Sequence, residues 1–390
     1  RDDHGGAFPR KIAFSLWSSE AVRHLGVTEA QVLHALGLRP VWDEAGRVRD
    51  LEIVPAAELG RPRVDVVVQV TSVYRDQFDG FMRLLADAID RIAALDEPDN
   101  PVAANSARVA AVLQEAGLSQ EEARNEANLR IFSNAPGSYG TGMPHMALAS
   151  ATWDEDSALA GRFLDGTRFA YGAKAWGEAS QAANLFAEQL RGAEAAIMSR
   201  SSNLHGVLST DHPFEFLGGL SLAVRHLDGV APSLYVSDLR GEASGRTVTL
   251  ARFLADEMRV RALNPRWIEG MKAQGYAGTL EMLNAANNLF GWQTVDPSTV
   301  RADQWQAMFD TYVADARDLD LGAYFETHNP TAQAQLMERM IEAVRKGYWD
   351  APEETRWQLV ERWRELALEH GVKVGEEPTL AFVERMAAGF

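Results

Sequence analysis

Residues 64–70, VDVVVQV, constrain the fold more than any other stretch of the chain. The run is rich in valine and almost continuously apolar. A strand of that kind is covered on both faces, which is the habit of parallel sheets. A second short apolar run, KIAFSLW at 11–17, reads the same way. Helical patterns follow each run. Ser18, Ser19 and Glu20 offer an N-cap for apolar residues at helical spacing over 21–36, and Gly37 closes that helix. A further helix covers 76–95 and stops at Asp96-Glu97-Pro98. Strand, helix, strand, helix at these lengths predicts an α/β fold built on a parallel sheet.

The remaining pattern extends this frame. Short strands are predicted at 40–42, 51–54, 195–199 and 232–236. Helices are predicted at 101–117, 119–129, 154–164, 179–191, 220–227, 247–260 and 279–290; Ser119 with Glu122 makes a capping box. Asn264-Pro265 and Asn329-Pro330 place proline at the first helical position of two more. From 304 onward the pattern is nearly all helix, with Trp349, Trp357 and Trp363 expected to pack a bundle; 371–390 is less patterned. The expected architecture is therefore parallel-sheet layers with flanking helices in the first two thirds and a mostly α-helical last third. It divides into an α/β domain at 1–129, a loop-rich α/β region at 130–262 carrying the site, and a helical region at 263–390.

Composition removes several classes of function. A formal net charge of −17 disfavours nonspecific nucleic-acid binding and anionic membrane surfaces. No apolar run is long enough to span a bilayer. With no cysteine there are no disulfides, thiolate metal sites or thiol nucleophiles, a usage compatible with the cytoplasm. No G-x-x-x-x-G-K-[ST] occurs, so ATP binding in a P-loop is not expected. Neither G-x-S-x-G nor a strand-following G-x-G-x-x-G is present.

Three segments carry polar chemistry. Residues 71–76, TSVYRD, directly follow the strongest strand, where open parallel sheets bind ligands. Arg75 and Asp76 sit there either as site residues or as a helix cap with a surface pair. Residues 130–153, RIFSNAPGSYGTGMPHMALASATW, hold Gly137, Gly140 and Gly142 between prolines. That composition predicts a shaped loop presenting N–H groups and hydroxyls, or a connector that satisfies only itself. Residues 203–219, NLHGVLSTDHPFEFLGG, gather Asp211, His212 and Glu215 beside Phe214. A helix starting at Asp211 would put Asp211 and Glu215 on one face as hard or borderline metal ligands; acidic residues also gather at helix starts for dipole reasons.

The segment RIFSNAPGSYGTGM, with GLRPVWD, LGRPRVDVVV, RDQF, LGGLSLAVRHL, LNPRWIEGMKAQGYAG and HNP followed by KGYW, resembles the large subunit of class I ATP-dependent metal chelatases. That family includes cobaltochelatase and magnesium chelatase, and the blocks keep its order from about residue 12 to 349. The resemblance implies the C-terminal part of a longer subunit that inserts a divalent metal into a tetrapyrrole. Partner subunits of the AAA+ type would hydrolyse ATP, in keeping with the missing P-loop. The cobalt branch is favoured, acting on hydrogenobyrinic acid a,c-diamide in cobalamin biosynthesis. A magnesium-type subunit acting on protoporphyrin IX and a non-catalytic tetrapyrrole or AAA+ docking module are the alternatives.

Metal insertion requires bases for the inner N–H protons, ligands to carry the ion, and a wide pocket with rim donors. On this reading Asp211, His212, Glu215 and Asp76 are the catalytic group, with His212, Asp211 and Glu215 as metal carriers. Arg75, Arg130, Asn134, Ser138 and Tyr139 bind the macrocycle rim. Trp153, Phe214 and Trp267 supply its flat apolar wall. The metal, Co²⁺ in preference to Mg²⁺, is a substrate.

Overall fold

The structure is a computed structural model describing residues 5–241, 245–372 and 375–388. Two compact units interleave along the chain. One comprises residues 1–143, 157–203 and 215–249; the other comprises 144–156, 204–214 and 250–390. Three consecutive regions had been expected from the sequence.

The first unit holds strands β1 (Lys11–Leu16), β2 (Leu38–Trp42), β3 (Val48–Ile53), β4 (Asp65–Val70), β5 (Ile131–Ser133), β6 (Phe169–Tyr171), β7 (Trp176–Glu178), β8 (Ala195–Arg200), β9 (Ser233–Asp238) and β10 (Arg246–Thr249). Eight of them form one sheet in the order β10-β9-β8-β1-β4-β5-β6-β7. The five central strands, β9 to β5, are parallel, and β10, β6 and β7 close the edges antiparallel. Every residue of β4 is buried, including Asp65 and Gln69, as its nearly continuous apolar run predicts. β2 and β3 form a separate antiparallel hairpin.

Helices α1 (Ser18–His24), α2 (Val27–Leu36), α3 (Ala56–Leu59), α4 (Ser72–Gln77), α5 (Asp79–Ala93), α6 (Pro101–Glu115) and α7 (Gln120–Ala127) belong to this unit. The single helix expected over 21–36 is broken, because Leu25 and Gly26 both take left-handed backbone angles (φ 54° and 86°). The helix expected from Asp76 starts earlier. Thr71 caps it by accepting the Tyr74 N–H through Oγ1 at 3.3 Å, so Asp76 lies in the last turn of α4. The capping box of Ser119 and Glu122 forms as read.

The chain continues through α8 (Met143–Leu148), α9 (Ser157–Thr167), α10 (Leu185–Leu190) and α11 (Phe216–Asp228). It then adds α12 (Leu250–Val260), α13 (Pro265–Lys272), α14 (Tyr276–Val295), α15 (Ala302–Tyr312), α16 (Leu321–His328), α17 (Pro330–Arg345), α18 (Glu353–Glu369) and α19 (Glu377–Ala388). These eight helices, α12–α19, make up most of the second unit. α14 is buried on nearly every face of its second half and is that unit's central helix. Trp349 and Trp363 are core, as expected, but Trp357 is 46% exposed. Residues 377–388 are helical where little pattern had been read. Among the described residues, no helix is long and apolar enough to cross a membrane.

Candidate active site

The sheet reverses its direction of growth at β1: β4 and β5 lie on one side, β8 and β9 on the other. Ligands of open α/β sheets bind at such a switch, beyond the carboxyl ends of the strands. A cleft of about 330 Å³ opens there in the first unit. Its walls include Trp17 after β1, Ser72 after β4, Tyr139 and Gly140 of the glycine-rich loop, and Glu215 and Phe216 at the start of α11. Trp17 and Phe216 meet edge to face, with centroids 5.6 Å apart, and give the cleft an apolar wall.

The glycine-rich loop is moulded from below by two buried side chains. The Arg75 guanidinium is only 3% exposed. Its Nη1 donates to the carbonyls of Asn134 (3.0 Å) and Ala135 (2.8 Å). Its Nε and Nη2 grip both oxygens of Asp76, at 2.7 and 3.0 Å. Asn134 donates through Nδ2 to the carbonyls of Gly140 (3.1 Å) and Gly166 (2.8 Å), while its Oδ1 accepts the Ser72 hydroxyl at 2.8 Å. Tyr171, from β6, adds a hydroxyl bond to the Asn134 carbonyl at 2.7 Å. Arg75 and Asn134 therefore direct these donors into the protein and not to a ligand's rim. Gly137, Gly140 and Gly142 all have φ near +75°, which lets the loop turn back over these donors.

What the loop presents to solvent is Tyr139, 66% exposed, and Ser138, also exposed. The Tyr139 hydroxyl donates to Asp76 Oδ2 at 2.8 Å. Arg75, aided by Tyr139 and opposed by slight burial, holds the Asp76 carboxyl below the usual range; the same bond raises the Tyr139 phenol. An acid held that low is a weak proton acceptor near neutrality, which argues against Asp76 as a base. Its place is to anchor Tyr139. Glu215 is better placed: it lines the cleft, and its Oε1 accepts the Thr141 N–H at 2.6 Å and the Thr141 hydroxyl at 2.8 Å.

Arg130 is not part of this cleft. Its guanidinium is fully buried, pairs with Asp65 at 3.0 Å and bonds the Ala127 carbonyl and the Ser106 hydroxyl. It ties the start of β4 to the chain entering β5, so the expectation of rim binding is corrected.

The other predicted residues fall in the second unit. Phe214 is fully buried, with its ring against Trp292 and its edge where a side chain on Gly291 would clash. Trp153 is 6% exposed, donates its indole N–H to the Met146 carbonyl and lies under Lys346. Neither presents a free face to a macrocycle, so both are corrected to core residues. Trp267 is half-buried on α13. Asp211 is exposed and lies 3.3 Å from His212 Nδ1. The helix expected from Asp211 begins only at Phe216, and His212 takes a left-handed φ of 43°. Asp211 and Glu215 are therefore not paired on one helical face. Among the described residues, no three His, Asp or Glu side chains cluster closely enough to hold a metal ion.

Two features escaped the sequence reading. His145 sets its ring 5.2 Å from that of His212, edge to face. Its signal was the Pro-His-Met that ends the glycine-rich run. Glu257, buried on α12, accepts the N–H groups of Val207 (2.6 Å) and Leu208 (3.2 Å) and so holds the segment leading to His212. Its partners lie far away in sequence, and no local pattern marks it.

Comparison with known proteins adds a family. Residues 1–356 match the family described as CobN/Magnesium Chelatase. The aerobic cobaltochelatase subunit CobN of Pseudomonas aeruginosa is 34% identical over 353 residues, 90% of this chain and 28% of that protein. The chloroplastic magnesium-chelatase subunit ChlH of Oryza sativa subsp. indica is 32% identical over 369 residues, 93% of this chain and 26% of its own length. A solved structure, the catalytic subunit of cobaltochelatase from Mycobacterium tuberculosis, superposes with a TM-score of 0.86 at 34% identity. The match covers 95% of this chain and 30% of that one. The chain thus spans under a third of the length of these relatives.

Proposed function

The chain belongs to the CobN/magnesium chelatase family, and from that premise we propose that it forms the C-terminal part of the large subunit of an ATP-dependent chelatase. The reaction proposed is insertion of Co²⁺ into a corrin precursor, hydrogenobyrinic acid a,c-diamide. The observation that supports a tetrapyrrole site most is the cleft itself. It sets a carboxylate, Glu215, beside an aromatic wall of Trp17 and Phe216, with the Tyr139 phenol at its edge. Glu215 is the proposed base for the inner N–H protons, and Tyr139 and Ser138 the groups offered to peripheral carboxylates or amides. Arg75, Asp76 and Asn134 act through the loop they shape.

His212, with Asp211 3.3 Å from its Nδ1, is proposed to pass the incoming ion on as a transient two-ligand stop and not as a closed metal site. Imidazole suits a borderline ion such as Co²⁺ better than Mg²⁺, which prefers oxygen ligands. This favours the cobalt reaction. The 32% identity to a magnesium-chelatase subunit supports a second reading, Mg²⁺ insertion into protoporphyrin IX. In either case ATP would be used by AAA+ partner subunits.

The test is metal insertion by the full-length subunit with its ATPase partners, supplied with Co²⁺ or Mg²⁺ and followed by the absorption of the tetrapyrrole. The proposal expects Co²⁺ to be inserted, Glu215→Gln to lower turnover at unchanged tetrapyrrole affinity, and His212→Ala to raise the metal concentration needed. Full turnover in both variants would leave this chain a docking module; faster insertion of Mg²⁺ would move it to the second reading.

A further inference from the structure

Two polar residues, Asp65 and Gln69, interrupt the valine-rich run of β4. Asp65 is accounted for by its pair with Arg130. Gln69 is fully buried, and so is Ser15, its partner in register on β1. The Ser15 hydroxyl donates to Gln69 Oε1 at 2.9 Å. Gln69 Nε2 donates to the Val70 carbonyl at 2.8 Å. That second bond fixes the amide, because turning it over would set two oxygens against each other. With its proton committed to Gln69, the Ser15 oxygen is left to accept, and it accepts the indole N–H of Trp17 at 3.1 Å. Trp17 stands two residues beyond Ser15 in extended backbone (φ −115°, ψ 131°), which puts both side chains on one face.

The chain of bonds therefore runs one way, from the middle of the sheet to the wall of the cleft. Two more groups hold the indole. Phe216 meets it edge to face. The Arg200 guanidinium, buried at the end of β8 and not a lining residue of the cleft, lies 4.8 Å from its ring centroid. Stability alone does not call for the buried pair. Replacing both members of a buried hydrogen bond by apolar groups of the same shape is close to neutral or stabilising. What Gln69 and Ser15 add is a single orientation of a large side chain facing the cleft. An aromatic wall already held in place has less freedom to lose when a flat ligand lies against it.

We propose that Gln69 and Ser15 are positioning residues of the cleft, holding Trp17 in the orientation that receives the flat face of a tetrapyrrole. The inference rests on the reading of the cleft as a tetrapyrrole site. Neither residue lines the cleft; both act through the indole N–H.

The test uses the 390-residue chain with its tryptophans labelled with nitrogen-15, the Trp17 indole N–H signal being assigned through Trp17→Phe. The variant combines Ser15→Ala with Gln69→Met, which removes the bond and keeps the volume. Its Trp17 N–H signal should move upfield and exchange faster with solvent, while its urea midpoint does not fall. Its affinity for hydrogenobyrinic acid a,c-diamide, read from the corrinoid absorption band, should drop by about two- to tenfold, the loss expected when one more side chain must be immobilised on binding. An unmoved Trp17 signal, an unchanged affinity, or affinity lost only together with a lowered urea midpoint would overturn the proposal. Should the double variant fail to fold, Ser15→Ala alone carries the same expectations for the signal and the affinity. Absence of saturable binding by the parent chain would remove the reading of the cleft and this inference with it; parent binding that persists undiminished in the variant would remove this inference alone.

Discussion

Arg75→Ala should loosen the glycine-rich loop and destabilise the first unit. The side chain is 3% exposed and makes two short bonds to main-chain carbonyls, besides its fork on Asp76. Bonds from a charged donor contribute roughly 1.5–3 kcal/mol each. Two features reduce the loss. The Asn134 carbonyl keeps the Tyr171 hydroxyl, and the Ala135 carbonyl keeps the Ser138 N–H at 3.0 Å, so neither is orphaned. Asp76 is 42% exposed and rehydrates, so its ion pair adds little. The net expectation is a loss of about 2–4 kcal/mol, with Arg75→Lys recovering part of it through a single donor point. Urea unfolding followed by circular dichroism measures the first quantity. Amide exchange over residues 134–141 measures the second effect, which should speed up in Arg75→Ala. An unfolding free energy within about 0.5 kcal/mol of wild type, with unchanged exchange, would refute the assignment of Arg75 as the loop's support.

Other expectations follow from buried charges. Glu257→Ala removes the acceptor of two main-chain N–H groups and should cost about 2–4 kcal/mol, with exchange at Val207 and Leu208 rising before the rest of that unit opens. Lys11 is buried, and desolvation lowers its pKa from 10.5 to about 8. The unfolded chain therefore binds more protons between those values, so stability should rise with pH from about 8 to 10.5, by on the order of 3 kcal/mol. Lys11→Met should lose that rise, and a parallel pH profile in the variant would contradict the account. Asp76 gives a slope of the same sign in the acid range. Its folded pKa is lowered, so its contribution is present above the unfolded carboxyl range and lost as pH falls through the folded value; Arg75→Ala should flatten that part of the acid limb.

The parts of the fold legible in sequence are those whose cause is local. Residues 64–70 announce β4 because burial on both faces leaves a valine-rich run broken only at Asp65 and Gln69. Ser119 with Glu122 and the Asn-Pro pairs announce helix starts because the capping groups stand within a turn of one another. β5, β6 and β7 are three residues each, too short to show any period, and their sequence is indistinguishable from loop. The break at Leu25 is a tertiary choice, since nothing in leucine favours a positive φ.

The site divides the same way. Arg75, Asn134 and Tyr139 could be singled out because polar residues after a strand and in a glycine-rich loop stand where sheets bind ligands, and Glu215 because it closes a cluster of Asp and His. Their direction could not be read. Whether an arginine points to solvent or under a loop depends on partners such as Asn134 and Ala135, nearly sixty residues away. Arg130 was misread for that reason, its partner being Asp65 on another strand. The aromatic wall of Trp17 and Phe216 joins residues from opposite ends of the unit's sequence, beyond the reach of any window.

The most direct test of the cleft is titration of the chain with hydrogenobyrinic acid a,c-diamide, read from the corrinoid absorption band and tryptophan quenching. Saturable one-to-one binding is expected, weakened at least about tenfold by Trp17→Ala, which removes the aromatic wall, and retained in Trp357→Ala, which alters an exposed tryptophan of the second unit. Binding that is absent, or that is the same in all three proteins, would contradict a tetrapyrrole site at the carboxyl ends of these strands.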